Sequence, residues 1–340
     1  MSEHQAFAAS VGPVFATDRR ASQFLGLLIL IALVPLGVAV LAETAVPGAT
    51  LFGSTSDVLS GVGTAHVGLT GFFWFDRRYS AQIARRPFFF YAVPAAVAVV
   101  TLGLVLLAGI VGARLLHIGN MFWLLYHFSK QSWGMICLSA SATSSARPPS
   151  WIKYVYVAAS VGATAVCLIP VQSADPLLST LRLEAVVVTW TCVALGLVHS
   201  VASSQASTHG LHRTLLATGA LFFAPVLLIG PLDGLAVVGT VHGLQYTALM
   251  CGIGADRKQG VPVRRLLILA AFAAGLFAMY WVCMRATWWG GAAPLMGAIY
   301  LSVQMWHFVV DADLWRLSNP TQRQAIKESF PYLFPRARSA

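Results

Sequence analysis

Ten long apolar runs, separated by short polar connections, set the pattern of this chain. Each run has roughly the 18 to 25 residues needed to cross a hydrocarbon core of about 30 Å. The runs lie near residues 24–43, 58–75, 88–113, 114–138, 151–171, 183–203, 213–232, 235–254, 264–283 and 290–312. Each is continuously apolar and does not alternate, which favours membrane-spanning helices over the strands of a barrel. The pattern predicts an all-α, polytopic transmembrane helix bundle over 24–312, with a cytoplasmic tail at 1–23 and another at 313–340.

Composition supports a membrane environment. Only 10% of the 340 residues are charged, whereas about 25% is usual in soluble domains. Apolar residues make up 57% of the chain, and the mean hydropathy is +0.73. These values exclude a soluble globular protein, a disordered chain and a fibrous repeat. We therefore expect the lipid bilayer to be the main partner.

The basic residues predict the orientation of the bundle. If the connections are assigned alternately to the two sides, 18 of the 22 Lys and Arg residues fall on the side of both termini. The opposite side receives only Arg114, Arg182 and Arg285. By the positive-inside rule both termini are cytoplasmic, as in a multi-pass protein of the inner (plasma) membrane. The net charge of +10 is then explained by membrane insertion, and nucleic acid is not expected as a partner.

Histidines are the main polar residues within the runs. The even-numbered spans carry His66 (span 2), His117 and His127 (span 4), His199 (span 6), His242 (span 8) and His307 (span 10). Ionisable groups inside a membrane are costly and usually mark a functional site. For any single histidine, the alternative is a neutral imidazole bonded to a backbone carbonyl. His209 and His212, in the connection after span 6, would form a second cytoplasmic site with His199 or belong to a solvated loop.

A short internal repeat connects the two halves of the chain. Val-Gly-Thr-Ala-His at 62–66 is matched by Val-Gly-Thr-Val-His at 238–242, and Tyr-His-Phe at 126–128 by Trp-His-Phe at 306–308. The offsets are nearly equal and correspond to six spans, which preserves orientation. The matches are short enough to arise by chance. A true duplication would relate spans 1–4 to spans 7–10 by an axis along the membrane normal.

The histidine positions predict a metal site. From the ends of the runs, at about 1.5 Å per residue, His66 and His242 form one tier and His127 and His307 a second tier some 8 Å deeper. Neutral imidazole is the commonest metal ligand and suits iron, copper and zinc. Asp311, four residues after His307, is the fifth candidate ligand. Asp311 and Asp313 would ligate, orient a histidine, or belong to a solvated helix end.

Three further polar residues lie one helical turn after a histidine and are candidate catalytic residues. Lys130 and Gln131 follow His127, and Tyr246 follows His242. Residues three or four apart share a helix face. Lys130 would bind an anionic group or form a Schiff base, but a snorkelling or supporting role is the more common one for such a lysine.

The ordered motifs resemble a known family. His66-x-Gly68, His127-Phe128, His242 with Tyr246, and His307 followed by Asp311 are similar to the motifs of the Brp/Blh-like family. That resemblance implies a bacterial integral-membrane dioxygenase that cleaves β-carotene to retinal with histidine-ligated non-haem iron. Two positions depart from the family: Leu69 and Thr70 stand where it has an acid, and Tyr246 stands where it has a second histidine.

Three functions remain open from the sequence. The first is an oxidoreductase that uses a histidine-ligated metal, favoured as non-haem iron, and O2 on a lipophilic, carotenoid-like substrate. The second is a haem b electron-transfer protein with His66/His127 and His242/His307 as axial pairs; copper is a further candidate cofactor. The third is a multi-pass transporter.

Overall fold

The computed structural model describes residues 19–45, 51–203, 210–256, 261–285, 290–315 and 319–334. The α-helices are α1 (Arg19–Ala45), α2 (Leu51–Leu69), α3 (Arg77–Arg85), α4 (Val93–Ala142), α5 (Ser150–Leu168), α6 (Pro176–Ala202), α7 (Gly210–Ala220), α8 (Ala224–Leu228), α9 (Pro231–Gly254), α10 (Pro262–Met284), α11 (Ala293–Leu314) and α12 (Pro320–Ser329). Short 3-10 or π turns extend several of them, and no strand occurs within these ranges. The predicted all-α bundle is confirmed.

The helices have the length and apolarity of a membrane protein. Eight helical segments among the described residues are long and apolar enough to cross a bilayer, and a ninth is added if one bent pair is a single span. Large apolar side chains cover much of the outer surface, including Leu107 at 91% exposure. Such a surface is stable in lipid and not in water. The count of ten spans remains a prediction.

The longest helical stretch, Phe88–Ala142, contains a sharp reversal. Gly109 has non-helical dihedral angles of φ 54° and ψ −128°, a region that glycine adopts far more easily than other residues. Beyond it, Gly112 lies so close to Leu104 that a Cβ atom there would overlap the Leu104 carbonyl group. In a straight helix two residues eight positions apart would be about 12 Å apart. The third and fourth predicted spans, 88–113 and 114–138, are therefore separated at Gly109 and not between residues 113 and 114.

The second predicted span differs from its predicted bounds. Helix α2 begins at Leu51 and not at 58, and an 80° bend separates the segment Asp57–Trp74 from α3. Asp76 caps α3 by accepting a hydrogen bond from the backbone N–H of Arg78 at 3.0 Å. Its carboxylate also pairs with the Arg78 side chain at 3.0 Å and with Arg265 at the start of α10. This buried ion pair joins the end of the predicted second span to α10, which corresponds to the predicted span at 264–283.

The C-terminal segment packs onto the bundle. Phe330 and Leu333, in the segment predicted as a cytoplasmic tail, are both fully buried, and the Phe330 ring lies 5.5 Å from that of Phe24 on α1. Asp313 is also buried, and its carboxylate accepts a hydrogen bond from Arg86 at 2.6 Å. The alternative of a solvated helix end at Asp313 is therefore wrong.

Helices α2 and α9 cross closely at the centre of the bundle. A Cβ atom on Gly63 would lie 2.9 Å from the carbonyl carbon of Gly239, and one on Gly243 would lie 2.8 Å from the Gly63 oxygen. Glycine allows such close helix packing in membranes. Gly63 and Gly239 are equivalent positions of the predicted repeat. The repeat itself stays a prediction, but this contact brings the histidine that follows each glycine to the same place.

Candidate metal centre

Four histidines from four helices form a closed ring. The distances between ring centroids are 4.6 Å for His66–His242, 4.9 Å for His242–His127, 5.2 Å for His127–His307 and 4.9 Å for His307–His66. The rings meet at steep interplanar angles of 71–80°. Helices α2, α4, α9 and α11 each contribute one of them. The structure thus brings together all four histidines predicted as metal ligands.

Each of the four imidazoles has a buried nitrogen atom without a hydrogen-bond partner among the described residues. The Nε2 atoms of His66, His127, His242 and His307 are all buried without a hydrogen-bond partner among the described residues. One set of ligand atoms within 4.8 Å of one another comes from His66, His242 and His307, and a second from His127, His307 and Asp311. Buried polar atoms are normally satisfied, so four orphaned nitrogens in one place require an explanation.

Hydrogen bonds on the far side of two imidazoles direct their Nε2 atoms inward. The Nδ1 of His66 donates to the Gly63 carbonyl oxygen, which can only accept. The Nδ1 of His307 lies 2.6 Å from the hydroxyl of Thr70. Thr70 donates its own hydrogen to Asp311 at 3.2 Å, so it accepts from His307. His66 is therefore protonated on Nδ1, and the same tautomer of His307 lets Thr70 accept from it and donate to Asp311. In this tautomer the lone pair lies on Nε2, where it can bind a metal ion.

Asp311 lies at the edge of the ring and is held in place by two donors. Its Oδ1 accepts hydrogen bonds from Thr70 and from the Tyr246 hydroxyl, the latter at 2.8 Å. Its Oδ2 lies 3.6 Å from Nε2 of His307. This arrangement leaves Oδ2 directed at the ligand atoms, so Asp311 is positioned as a fifth ligand.

Tyr246 is also brought to the site. Its ring centroid is 5.3 Å from that of His66 and 5.5 Å from that of His307. It is almost fully buried, and its hydroxyl holds the Asp311 carboxylate. Tyr246 therefore supports one candidate ligand, Asp311, and contacts two others, His66 and His307.

The other two candidate catalytic residues lie in different surroundings. Lys130 is exposed, with its ammonium group 5.9 Å from the Tyr126 ring centroid. Gln131 donates to the backbone carbonyl of His242 at 3.0 Å, which ties α4 to α9. Lys130 lies within about 60° of His127 around the helix, but its side chain is at the exposed surface of α4 and not among the buried imidazoles.

Histidines outside the ring have other environments. His117 is exposed on α4. His199 packs edge-on against Trp151 at 5.4 Å, and His212 is buried with Nδ1 2.7 Å from the Ser139 hydroxyl. Among the described residues, neither His199 nor His212 belongs to a group of side chains that could bind a metal ion. His209 lies outside the described residues. The other two histidines of the predicted second site, His199 and His212, do not come together.

The sequence predicted two tiers of histidines at different depths, whereas in the structure all four imidazoles lie in one ring. Helix α2 starts at Leu51, seven residues earlier than predicted, which places His66 about 10 Å deeper than estimated. Thr70 was not singled out as a site residue, although it lies one turn after His66 and so on the same face. The spacing that led to Gln131 and Tyr246 would have identified it.

The residues present fit a metal ion. Four neutral imidazole nitrogens and one carboxylate oxygen form a donor set suited to iron, copper or zinc. Comparison of the chain with protein-family models, with curated proteins and with solved structures found no match. The case for a metal therefore depends on the geometry of this site.

Proposed function

We propose that this protein is an integral-membrane oxidoreductase with a histidine-ligated metal centre, favoured as non-haem iron, that uses O2 on a lipophilic substrate. The observation that carries the proposal is a ring of four neighbouring imidazoles whose buried Nε2 atoms have no hydrogen-bond partner among the described residues. Protein groups satisfy Nδ1 of His66 and of His307, whereas none of the four Nε2 atoms has a hydrogen-bond partner among the described residues. A metal ion held by these imidazoles would supply the partner that the protein does not.

His66, His127, His242 and His307 would hold the metal, with Asp311 as a fifth ligand. Such a centre would supply binding and activation of dioxygen. The chain's own contribution is orientation. The Gly63 carbonyl and Thr70 hold two imidazoles in the ligating tautomer, and the buried surroundings exclude water from the ring.

The same geometry disfavours haem b. An axial pair such as His66 and His127 lies across the ring, and the rings of His242 and His307 fill the positions on either side at 4.9–5.2 Å. A porphyrin between the axial ligands would need the space that these two rings occupy. No described contact specifically favours the transporter alternative.

The resemblance to the Brp/Blh-like family supports a polyene substrate and is part of the proposal. The two departures from the family meet in space, since the Thr70 hydroxyl lies 3.0 Å from the Tyr246 hydroxyl. Both side chains donate to Asp311. Residues that differ from the family thus form one connected group that orients His307 and Asp311.

Elemental analysis of the purified protein, combined with an absorption spectrum, tests the metal centre. We expect stoichiometric iron, no Soret band, and loss of the metal in His66→Ala and His242→Ala. His117→Ala is the matched control, because His117 lies on the exposed surface, and it should keep its metal. Absence of any stoichiometric transition metal in a folded preparation would contradict the proposal.

Oxygen consumption tests the reaction class. Protein in lipid nanodiscs containing a C40 polyene should consume O2 and bleach the polyene, and the His242→Ala variant should do neither. A metal-loaded wild-type protein that leaves every lipophilic polyene and the O2 level unchanged would argue for a metal site with another role.

A further inference from the structure

The metal centre is closed on most of its sides by buried contacts. Toward the C-terminal ends of α2 and α11, the hydrogen bonds among Thr70, Tyr246 and Asp311 cover it. On the α2–α9 side, Gly63 and Gly239 are in backbone contact. No wide passage therefore leads to the ring from these two directions.

The opposite end and one lateral side are closed as well. Thr64 and Gln304 each hydrogen-bond the hydroxyl of Tyr300, at 2.7 and 2.6 Å. Thr64 lies two residues before His66 on α2, and Gln304 lies three residues before His307 on α11. The Phe128 ring lies 4.2 Å from that of His242 and is only 2% exposed. These groups separate the ring from the other end of the bundle and from α5.

The remaining side of the metal centre is formed by helix α4. His66, His242 and His307 are buried, whereas His127 is half-buried although its Nε2 atom is buried. Trp123, Lys130 and Gly134 lie on the same face as His127, at positions four, three and seven residues away. We call these four residues the α4 strip. Trp123 and Lys130 are exposed, and a Cβ atom on Gly134 would meet nothing within 4 Å.

The surface around the α4 strip is apolar and belongs to the part of the bundle that faces lipid. Phe122 is 44% exposed, Trp123 45% and Ile118 42%. From this we propose that the metal centre opens laterally to the bilayer across the α4 strip, where it takes a long apolar chain directly from the lipid phase. The inference deepens the proposed function and rests on it, because the occupant is the substrate of that centre.

Deuterium modulation in pulsed EPR of the Cu²⁺-loaded protein tests this opening. Copper binds imidazole sites readily, and nanodiscs would be made from phosphatidylcholine with deuterated acyl chains. We expect nitrogen modulation from the imidazoles together with deuterium modulation from nearby lipid chains. Because a side chain on a helix covers the turn before it, Gly134→Trp should strongly reduce the deuterium signal and leave the nitrogen signal intact. Gly275→Trp is the matched control, since Gly275 is an exposed glycine on α10 with nothing within 4 Å of a Cβ.

The possible failures can be told apart. Nitrogen modulation without deuterium modulation in the wild-type protein would overturn the lateral opening while leaving the metal centre in place. A deuterium signal that Gly134→Trp does not change would place the opening elsewhere and also overturn the proposal. Absence of imidazole nitrogen modulation would overturn the proposed function, and this inference with it.

Discussion

The hydroxyl of Thr70 lies 2.6 Å from Nδ1 of His307 and 3.2 Å from the carboxylate of Asp311. One side chain on α2 therefore orients two candidate ligands on α11. Threonine can bridge Nδ1 of His307 and the Asp311 carboxylate because its hydroxyl accepts from one partner and donates to the other.

We expect Thr70→Val to weaken metal binding by about 10- to 100-fold, the usual effect of losing a residue that orients a ligand. Valine keeps the shape but removes the hydroxyl, so His307 loses its acceptor. Thr70→Ser should restore the affinity. Competition with a chelator, using Zn²⁺ as the probe, measures the affinity of all three proteins. Equal affinity in the valine and serine variants would show that the hydroxyl does not orient the ligand.

Gly63→Ala should separate α2 from α9 and lower both stability and metal content. The new methyl group would lie 2.9 Å from the Gly239 carbonyl carbon, and overpacking of this kind costs about 1–3 kcal/mol. Gly239→Ala is the control, because its Cβ would meet only the Phe128 ring at 3.9 Å. Thermal unfolding and metal analysis compare the two variants. A similar metal loss in both would mean that the close approach at Gly63 is not what aligns His66 with His242.

Asp311 and Asp313, two residues apart, should have opposite roles. Asp311→Asn removes the carboxylate beside His307, so we expect weaker metal binding with little change in the unfolding temperature. Asp313→Asn breaks the pair with Arg86 at 2.6 Å, so we expect a lower unfolding temperature with unchanged metal content. Metal content and unfolding temperature, both measured on both variants, separate the two roles. Metal loss confined to the Asp313 variant would reverse the assignment.

Asp76→Asn should destabilise the bundle without affecting the metal centre. The Asp76 side chain is fully buried between the side chains of Arg78 and Arg265, which are 12% and 9% exposed. Removing the charge leaves two buried guanidinium groups undercompensated, which typically costs about 3–5 kcal/mol. Chemical denaturation measures this loss. Glu328→Gln, an exposed carboxylate on α12, should have almost no effect by the same measurement.

The class of the protein and most of the site residues could be read from the sequence. Apolar runs of bilayer length predicted the helices because a chain in lipid must satisfy its backbone hydrogen bonds within each segment. Histidines in those runs predicted the site because polar groups in a membrane are costly and must be compensated. The four histidines and Asp311 were identified on these grounds, and the structure brings them into one ring.

Other features depended on how the helices pack. The reversal at Gly109 and the early start of α2 at Leu51 changed the depths of the histidines, and local hydrophobicity carries no information on either. Lys130 and Thr70 illustrate the same point, because sequence spacing gives a helix face but not what that face meets. Lys130 turned outward to the surface, and Thr70 turned inward to His307.

The sequence by itself determined that this chain is an all-α membrane bundle with histidines as its main intramembrane polar groups. Only the tertiary structure decided that four of these histidines share one centre, that Thr70 and Tyr246 complete it, and that His127 lies at its exposed side. The physical reason is the range of the interactions. Hydrophobic periodicity and membrane insertion act along one helix at a time, whereas a metal centre needs four helices to meet at distances that close glycine contacts and interhelical hydrogen bonds set.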